Sequence, residues 1–475
     1  MSTGFRKSLR AFLAGSLVFV GVALAMPAQI AGASTQLVTN CNDSGPGSLR
    51  QAVLDAASGD SIDFALSPKC STIILASTID ITTSLTMDGP GANALAVSGN
   101  GVVEVLGISN AITANISGMT IEDGFNPTGG GIANSGTLNL SNSVLSDNGA
   151  ANPGDKGAGI WNGGALAVDD STFSGNNGWD GGGISNSGTM TVTDSTFSGN
   201  TAGDGGGGIF NLKTSATVTD STFSGNSTRS GAVGGGIYND GGNMTLIGST
   251  LSGNSATIAG GIYNDSTLIA AATIVANSPS GGDCSGFIPT ESPAHITDAG
   301  YNIDDDNSCG FSSVNHSISG STTVDLGPLA NNGGPTETLL PAATSSAVGV
   351  IPTGTTLNGV QVCPRVDQRG VASVGNCTIG AVEVPLCAIG LTPHVLNASY
   401  AKGTFTGLFC VNAKGVGTYT QGALSGFGWV SVVKGTTVIA ALGKNLLLAG
   451  STNGTKSSFL ELAPAPIKFG TFTLS

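Results

Sequence analysis

The chain has 475 residues, of which 75 are glycine, 40% are hydrophobic and only 10% are charged, with a net charge of −14. That much apolar residue excludes a disordered chain, and the glycine excess belongs to turns. The acidic balance excludes nucleic acid and anionic lipid headgroups, which carry the same sign of charge.

Residues 1–33 read as a secretory signal peptide. Arg6, Lys7 and Arg10 form the basic start, Ala11 to Ala25 the apolar run, and Ala31-Gly32-Ala33 a small-residue cleavage site. The mature protein is therefore expected outside the cell or on its surface, with no membrane span. Eight cysteines in an exported chain should be paired. Spacing does not fix their connectivity. A local order, Cys41 with Cys70, Cys284 with Cys309, Cys363 with Cys377 and Cys387 with Cys410, would place the bonds around the central repeats and not inside them.

Residues 34–69 are expected to form an N-terminal cap. Ser48-Leu49-Arg50-Gln51 is a capping box, with Leu49, Ala52, Val53 and Ala56 on one face of a short helix that stops before Gly59. The strands expected next are Thr72 to Leu75, Leu85 to Met87, Val102 to Leu106 and Met119 to Ile121. From Gly129 to about Gly282 one pattern is written six times, most clearly in GGGISNSGTMTVTDSTFSGNTAGD from Gly181 to Asp204. Its isoleucine recurs at Ile132, Ile160, Ile184, Ile209, Ile237 and Ile262. A fixed period of this length marks a stacked-repeat architecture.

Each repeat has three apolar stations. The isoleucine is the first. An alternating pair such as Met190/Val192 or Ala216/Val218 is the second. Leu145, Phe173, Phe197, Phe223, Leu251 and Ile274 make the third. Each is too short for a helix, and alternation of period two belongs to a half-buried strand. Three short strands make one coil, and stacked coils share a core. Two asparagine series, Asn134 to Asn264 and Asn148 to Asn277, should form columns of bonded amides at the turns. Residues 70–340 are thus read as ten or eleven coils, a prism roughly 50 Å long at the spacing of paired strands.

The GGGI and FSGN pair, as in Gly234 to Ile237 and Phe223 to Asn226, resembles the repeats of the polymorphic outer membrane protein family within the right-handed parallel β-helix superfamily. CNDSGPGSLRQAV, starting at Cys41, resembles the opening of choice-of-anchor Q surface proteins. LGPLANNGGPTETLLP from Leu326 and CPRVDQRGVASVGNCTIGAVE from Cys363 look like their closing motif. The resemblance implies an all-β, right-handed parallel β-helix with a C-terminal cap at 341–384. In that cap Asp367 and Arg369 should lock a turn, although Ser345 to Ile351 lacks the family's usual aspartate. Residues 385–475 read as a small β-rich domain, antiparallel and too short for an autotransporter barrel carrying its own passenger.

Chemistry is harder to find. A uronate lyase needs clustered cations, and between Ser71 and Val362 the basic residues are Lys156, Lys213 and Arg229. A glycoside hydrolase needs two carboxyl groups across a cleft. The densest run, Asp304-Asp305-Asp306, reads more simply as a turn beside a disulfide. Asp170, Asp194 and Asp220 should stack on one turn of successive coils, where Ca²⁺ is one candidate to relieve their repulsion and three separate Asx turns are the simpler account. Trp161, Phe210, Tyr238 and Tyr263 share one slot and form an expected aromatic edge, with Trp179 nearby. No catalytic residue or cofactor is assigned. The expected function is an adhesive or structural module, monomeric, whose ligand is an extracellular glycan or a surface protein. The alternative is a polysaccharide lyase or hydrolase on the same fold.

Overall fold

The structure, a computed structural model, describes residues 33–384 apart from 67–69, 151, 287–295 and 374, together with the backbone of eight strands between 392 and 474. The signal segment and Cys387 lie outside the described residues.

The three stations become three parallel sheets. Sheet A holds eleven strands from Thr35–Val38 to Ile296–Gly300, sheet B ten from Thr72–Ile74 to Ile303–Asp304, and sheet C nine from Ile79–Ile81 to Cys284–Ser285. Strands pair with their equivalents one coil away, as Ile160 with Ile184 and Met190 with Ala216. The chain is a right-handed parallel β-helix. Its bore is apolar: the six aligned isoleucines are fully buried, and Phe173, Phe197 and Phe223 stack with ring centroids 4.7 Å apart.

The third station departs from expectation in the last repeat. Leu251 pairs with Val275, so Val275 fills the interior slot and Ile274 aligns with the outward Thr250. Ile274 is buried all the same, in a second apolar cluster with Val362, Cys363, Cys377 and Ile379. An outward isoleucine is needed there because a later segment packs on it.

Both asparagine columns form. Side-chain amides from Asn134 to Asn264 link at 2.7–2.8 Å, and those from Asn148 to Asn254 at 2.9 Å. Asn277 leaves the second column: its backbone is left-handed (φ 58°) and its amide donates to Ser252. A serine column, in which the amide of Ser143 donates to Ser171, that of Ser171 to Ser195, and so on to Ser249, was not anticipated. Nor was a fourth short sheet, here sheet D: Gly149–Ala150, Asn177–Asp180, Thr201–Gly205 and Ser227–Thr228. It forms between sheets B and C where the loops are long, and unequal loop lengths conceal it from any alignment.

The stack also starts and stops earlier than residues 70–340. Thr35–Val38 and Asp60–Phe64 already pair in sheet A, and the helix Leu49–Asp55 is inserted between them. Ser48 caps it, accepting the amide of Gln51 at 3.1 Å, and Leu49, Ala52, Val53 and Ala56 join the core. The parallel strands end at Ile303–Asp304, with a single further parallel bridge from Ile303 to Ile318, whereas Leu326–Ala330 and Thr338–Pro341 form an antiparallel hairpin. The strand expected at Val102 to Leu106 is Leu106–Ile108, because Gly99 to Val103 close a turn.

Residues 336–383 run back along the flank of the last coils as a strap. Gln368 is fully buried; its amide donates to the Ser195 carbonyl and to Thr196 and Thr336, while its carbonyl accepts from Thr222. Asp367 and Arg369 pair at 2.7 Å, and Asp367 also accepts the amides of Arg369, Val371 and Glu383. Disulfides join Cys41 to Cys70, Cys284 to Cys309 and Cys363 to Cys377. Beyond the strap, eight antiparallel strands from Thr392–Tyr400 to Lys468–Leu474 close into a barrel.

Candidate functional site: an aromatic and acidic edge

The middle residue of each sheet C strand points outward, and register aligns Trp161, Ser185, Phe210, Tyr238 and Tyr263 in one row. Phe210 meets Tyr238 edge-on at 5.0 Å, and Tyr238 meets Tyr263 at 5.2 Å. Ser185 separates Trp161 from them. The row is less open than expected: Phe210 and Tyr263 are buried, at 4% and 9% exposure. Trp161 and Tyr238 remain half-exposed, as does Trp179 on sheet D.

Glycine explains how these rings lie. A Cβ on Gly163 would stand 2.7 Å from the Trp161 ring, one on Gly203 2.2 Å from Trp179, and one on Gly205 2.4 Å from Tyr238. Each ring packs so close to the backbone that a side chain at that glycine would collide with it. Lys156 stands 5.0 Å from the centre of the Trp161 ring and Arg229 5.9 Å from that of Trp179.

Four carboxylates join the rings. Burial, then the charges of Asp204 and Asp240, push Asp180 up to about 6, and Lys156 opposes them. Burial also raises Asp240, with Lys213 opposing. The Tyr238 hydroxyl donates to Asp265 at 3.1 Å, and burial with the charges of Asp240 and Asp265 holds it well above the usual phenol range. None of these acids was singled out from sequence. One signal was present, since Asp240 and Asp265 both lie three residues after the aligned isoleucine. Asp180 and Asp204 precede it at unequal distances.

The stripe of Asp170, Asp194 and Asp220 occupies one turn with left-handed backbone, φ 46°, 48° and 44°, which aspartate tolerates. Burial first, then Asp220 and Asp170, push Asp194 up to about 8. The cation sought for this stripe comes, at Asp220, from the chain itself: Arg365 of the strap pairs with Asp220 and with Glu383. Among the described residues no group of three or more acids, histidines or cysteines is arranged to hold a metal ion.

Asp304, Asp305 and Asp306 hold the turn beside the Cys284–Cys309 disulfide. Asp304 accepts the amide of Cys309 and the hydroxyl of Ser319, Asp305 the amide of Asn277, and Asp306 that of Asp283. Asp283 itself is fully buried, and its Oδ1 has no partner. Burial, and then a hydrogen bond shared with Asp305, raise its pKa above 3.8. The folded protein therefore holds a proton that the unfolded chain releases near 3.8, and stability falls as pH climbs from there until the native pKa is passed. Thermal melts from about pH 4 to pH 8 should show this decline. Asp283→Asn should flatten it and raise the melting temperature at the alkaline end; an unchanged slope would remove Asp283 as its source.

No protein-family model and no curated protein sequence matches this chain. The resemblance in the GGGI and FSGN repeats is thus supported as far as a parallel β-helix, and membership of the polymorphic outer membrane protein or choice-of-anchor Q families is not. Among solved structures, the chain is similar to jun a 1, the major allergen from cedar pollen, at 13% identity and a TM-score of 0.26, covering 64% of this chain and 84% of the allergen. It is also similar to tailspike protein 2 of an Escherichia coli O157:H7 bacteriophage, at 10% identity and a TM-score of 0.29, covering 89% of this chain and 65% of the tailspike. The enzymatically active domain of the bacteriophage CBA120 tailspike protein 2 matches at 10% and 0.24, over 93% of this chain and 71% of that domain. Likeness of this degree says nothing about chemistry.

Proposed function

We propose that this chain is an extracellular β-helix protein that binds carbohydrate along its aromatic and acidic edge. The observation that carries the reading is the set of three partly exposed rings, Trp161, Trp179 and Tyr238, each packed against a glycine, with Asp265 bonded to the Tyr238 hydroxyl. Flat apolar faces stack on the C–H faces of sugars, and carboxylates accept from sugar hydroxyls. Three disulfides support an oxidising, extracellular compartment. Among the described residues no helix is long and apolar enough to cross a membrane.

The acidic edge disfavours polyanionic glycans, so neutral ones are the expected ligands. The purified mature chain should bind neutral members of a glycan array. Trp161→Ala and Tyr238→Ala should each weaken that binding about tenfold, equivalent to about 1.4 kcal/mol. Absence of any glycan binding, or binding by both variants as tight as that of the wild type, would sink the reading.

A further inference from the structure

Sheet A turns alternate residues of each strand outward. Met190 and Val192 lie buried in the bore, and register stacks the residue between them, Thr191, with Thr217 and Thr245 in one outward column. Thr189 flanks that column on one side, and Thr193, paired with Thr219, on the other. Thr189 and Thr191 are exposed and the other four are partly exposed. Followed both ways, the middle column runs from Asn115 through Ala167 to Ile269, seven residues without a charge, in a chain whose net charge is −14.

Upstream, the polar groups of this face are spent on one another. The amide of Asn139 donates to Asn115 at 2.7 Å, and that of Asn115 to Thr86 at 3.2 Å. The six threonine hydroxyls differ, since among the described residues none of them has a hydrogen-bond partner in the chain. They are nevertheless held in place: two heavy atoms on Cβ restrict χ1, so backbone geometry fixes where each hydroxyl and methyl stands. The patch has a firm border as well. Ile247, next after Thr219 in its column, is buried with Val362 and Cys363 of the strap.

The spacing of such a face follows from strand geometry. Columns rise by about 4.8 Å from coil to coil, and alternate residues of one strand stand about 6.7 Å apart. Oxygens on a prism face of hexagonal ice repeat at nearly these two distances in perpendicular directions. A charged side chain would keep its own hydration shell in place of lattice water, and this patch has none.

We infer that the threonine face of sheet A binds ice, its hydroxyls and methyls holding a layer of water that is continuous with the prism face of a crystal. Each contact is weak, but all meet one rigid lattice at once, so they combine as linked sites do. The pre-set side chains lose little freedom on binding. The face belongs to sheet A and the aromatic rings to sheets C and D, so the inference stands apart from the carbohydrate reading.

The test freezes a dilute solution of the full mature chain slowly around a cold probe and measures the fraction taken into the ice. The wild type should be enriched in the ice. Thr191→Lys and Thr217→Lys should be excluded from it, and Ser224→Lys, on sheet B of the same coil as Thr217, should be taken up like the wild type. Ala167→Thr lengthens the middle column by one coil and should raise uptake. The lysine variants should melt at the wild-type temperature; if they melt early, Ala167→Thr decides, and unchanged uptake by it overturns the proposal. Exclusion of the wild type from ice, or uptake of both lysine variants equal to that of the wild type, would overturn it as well. So would adsorption to microcrystalline cellulose but not to ice that is lost in Thr217→Lys, since the occupant of the face would then be a polysaccharide surface.

Discussion

Replacing Arg365 by methionine is expected to lower the unfolding free energy by about 3–5 kcal/mol, the usual result of stripping the partner from a buried charge. The guanidinium is almost wholly enclosed, with 7% of its side chain exposed. It contacts Asp220 of the helix and Glu383 of the strap, and donates to the carbonyls of Thr378 and Gly380. Its removal would leave two buried carboxyl groups facing each other without a cation. Chemical denaturation measures the loss. Because the strap holds to the coils through this residue and Gln368, limited proteolysis of the variant should cut within residues 336–383 before the coils open. Adding Asp220→Asn and Glu383→Gln to the variant should recover much of the stability. A single-variant loss below about 1 kcal/mol, the range of an exposed pair, would refute the account.

Phe197→Ala is the second large effect, expected at about 3–5 kcal/mol. Phe197 has no exposed surface and lies between Phe173 and Phe223 with nearly parallel rings. Parallel coils cannot close the gap independently, since each is held in register by its neighbours through the asparagine and serine columns. The cavity should therefore stay open. Phe197→Leu should cost only about 1 kcal/mol, because leucine already fills the slot at Leu145 and Leu251 on either side of the phenylalanine stack. In urea denaturation, equal midpoints for the two variants would mean that the coils collapse around the gap.

Both predictions rest on residues that differ in how far sequence reveals them. Phe197 was legible at once, because every coil repeats the same surroundings and so demands the same residue type. Arg365 was not, since its partner lies 145 residues away and no periodicity connects them. The reading of Ile274 failed for the same reason. Counting from the repeat placed it inside, whereas the strap that covers it obeys no repeat. The aspartate stripe was found as a row, but the guanidinium that answers its last member was not.

The candidate site divides in the same way. Trp161, Phe210, Tyr238 and Tyr263 shared a slot and could be aligned, yet their exposure follows no period: Phe210 and Tyr263 are buried while Trp161 and Tyr238 are partly exposed. Asp180 and Asp204 lie in the strands of sheet D, which loops of unequal length conceal, and escaped notice. The amino-acid sequence by itself determined the stacked coils, their three strands, the apolar bore and the amide columns, because strand pairing at a fixed rise makes every coil's requirements local and periodic. Only the tertiary structure decided which side chains meet outside the bore: Arg365 with Asp220, and Tyr238 with Asp265. Those meetings depend on how far each loop reaches and where the strap lies down, and loop length and long-range docking leave no period in the chain.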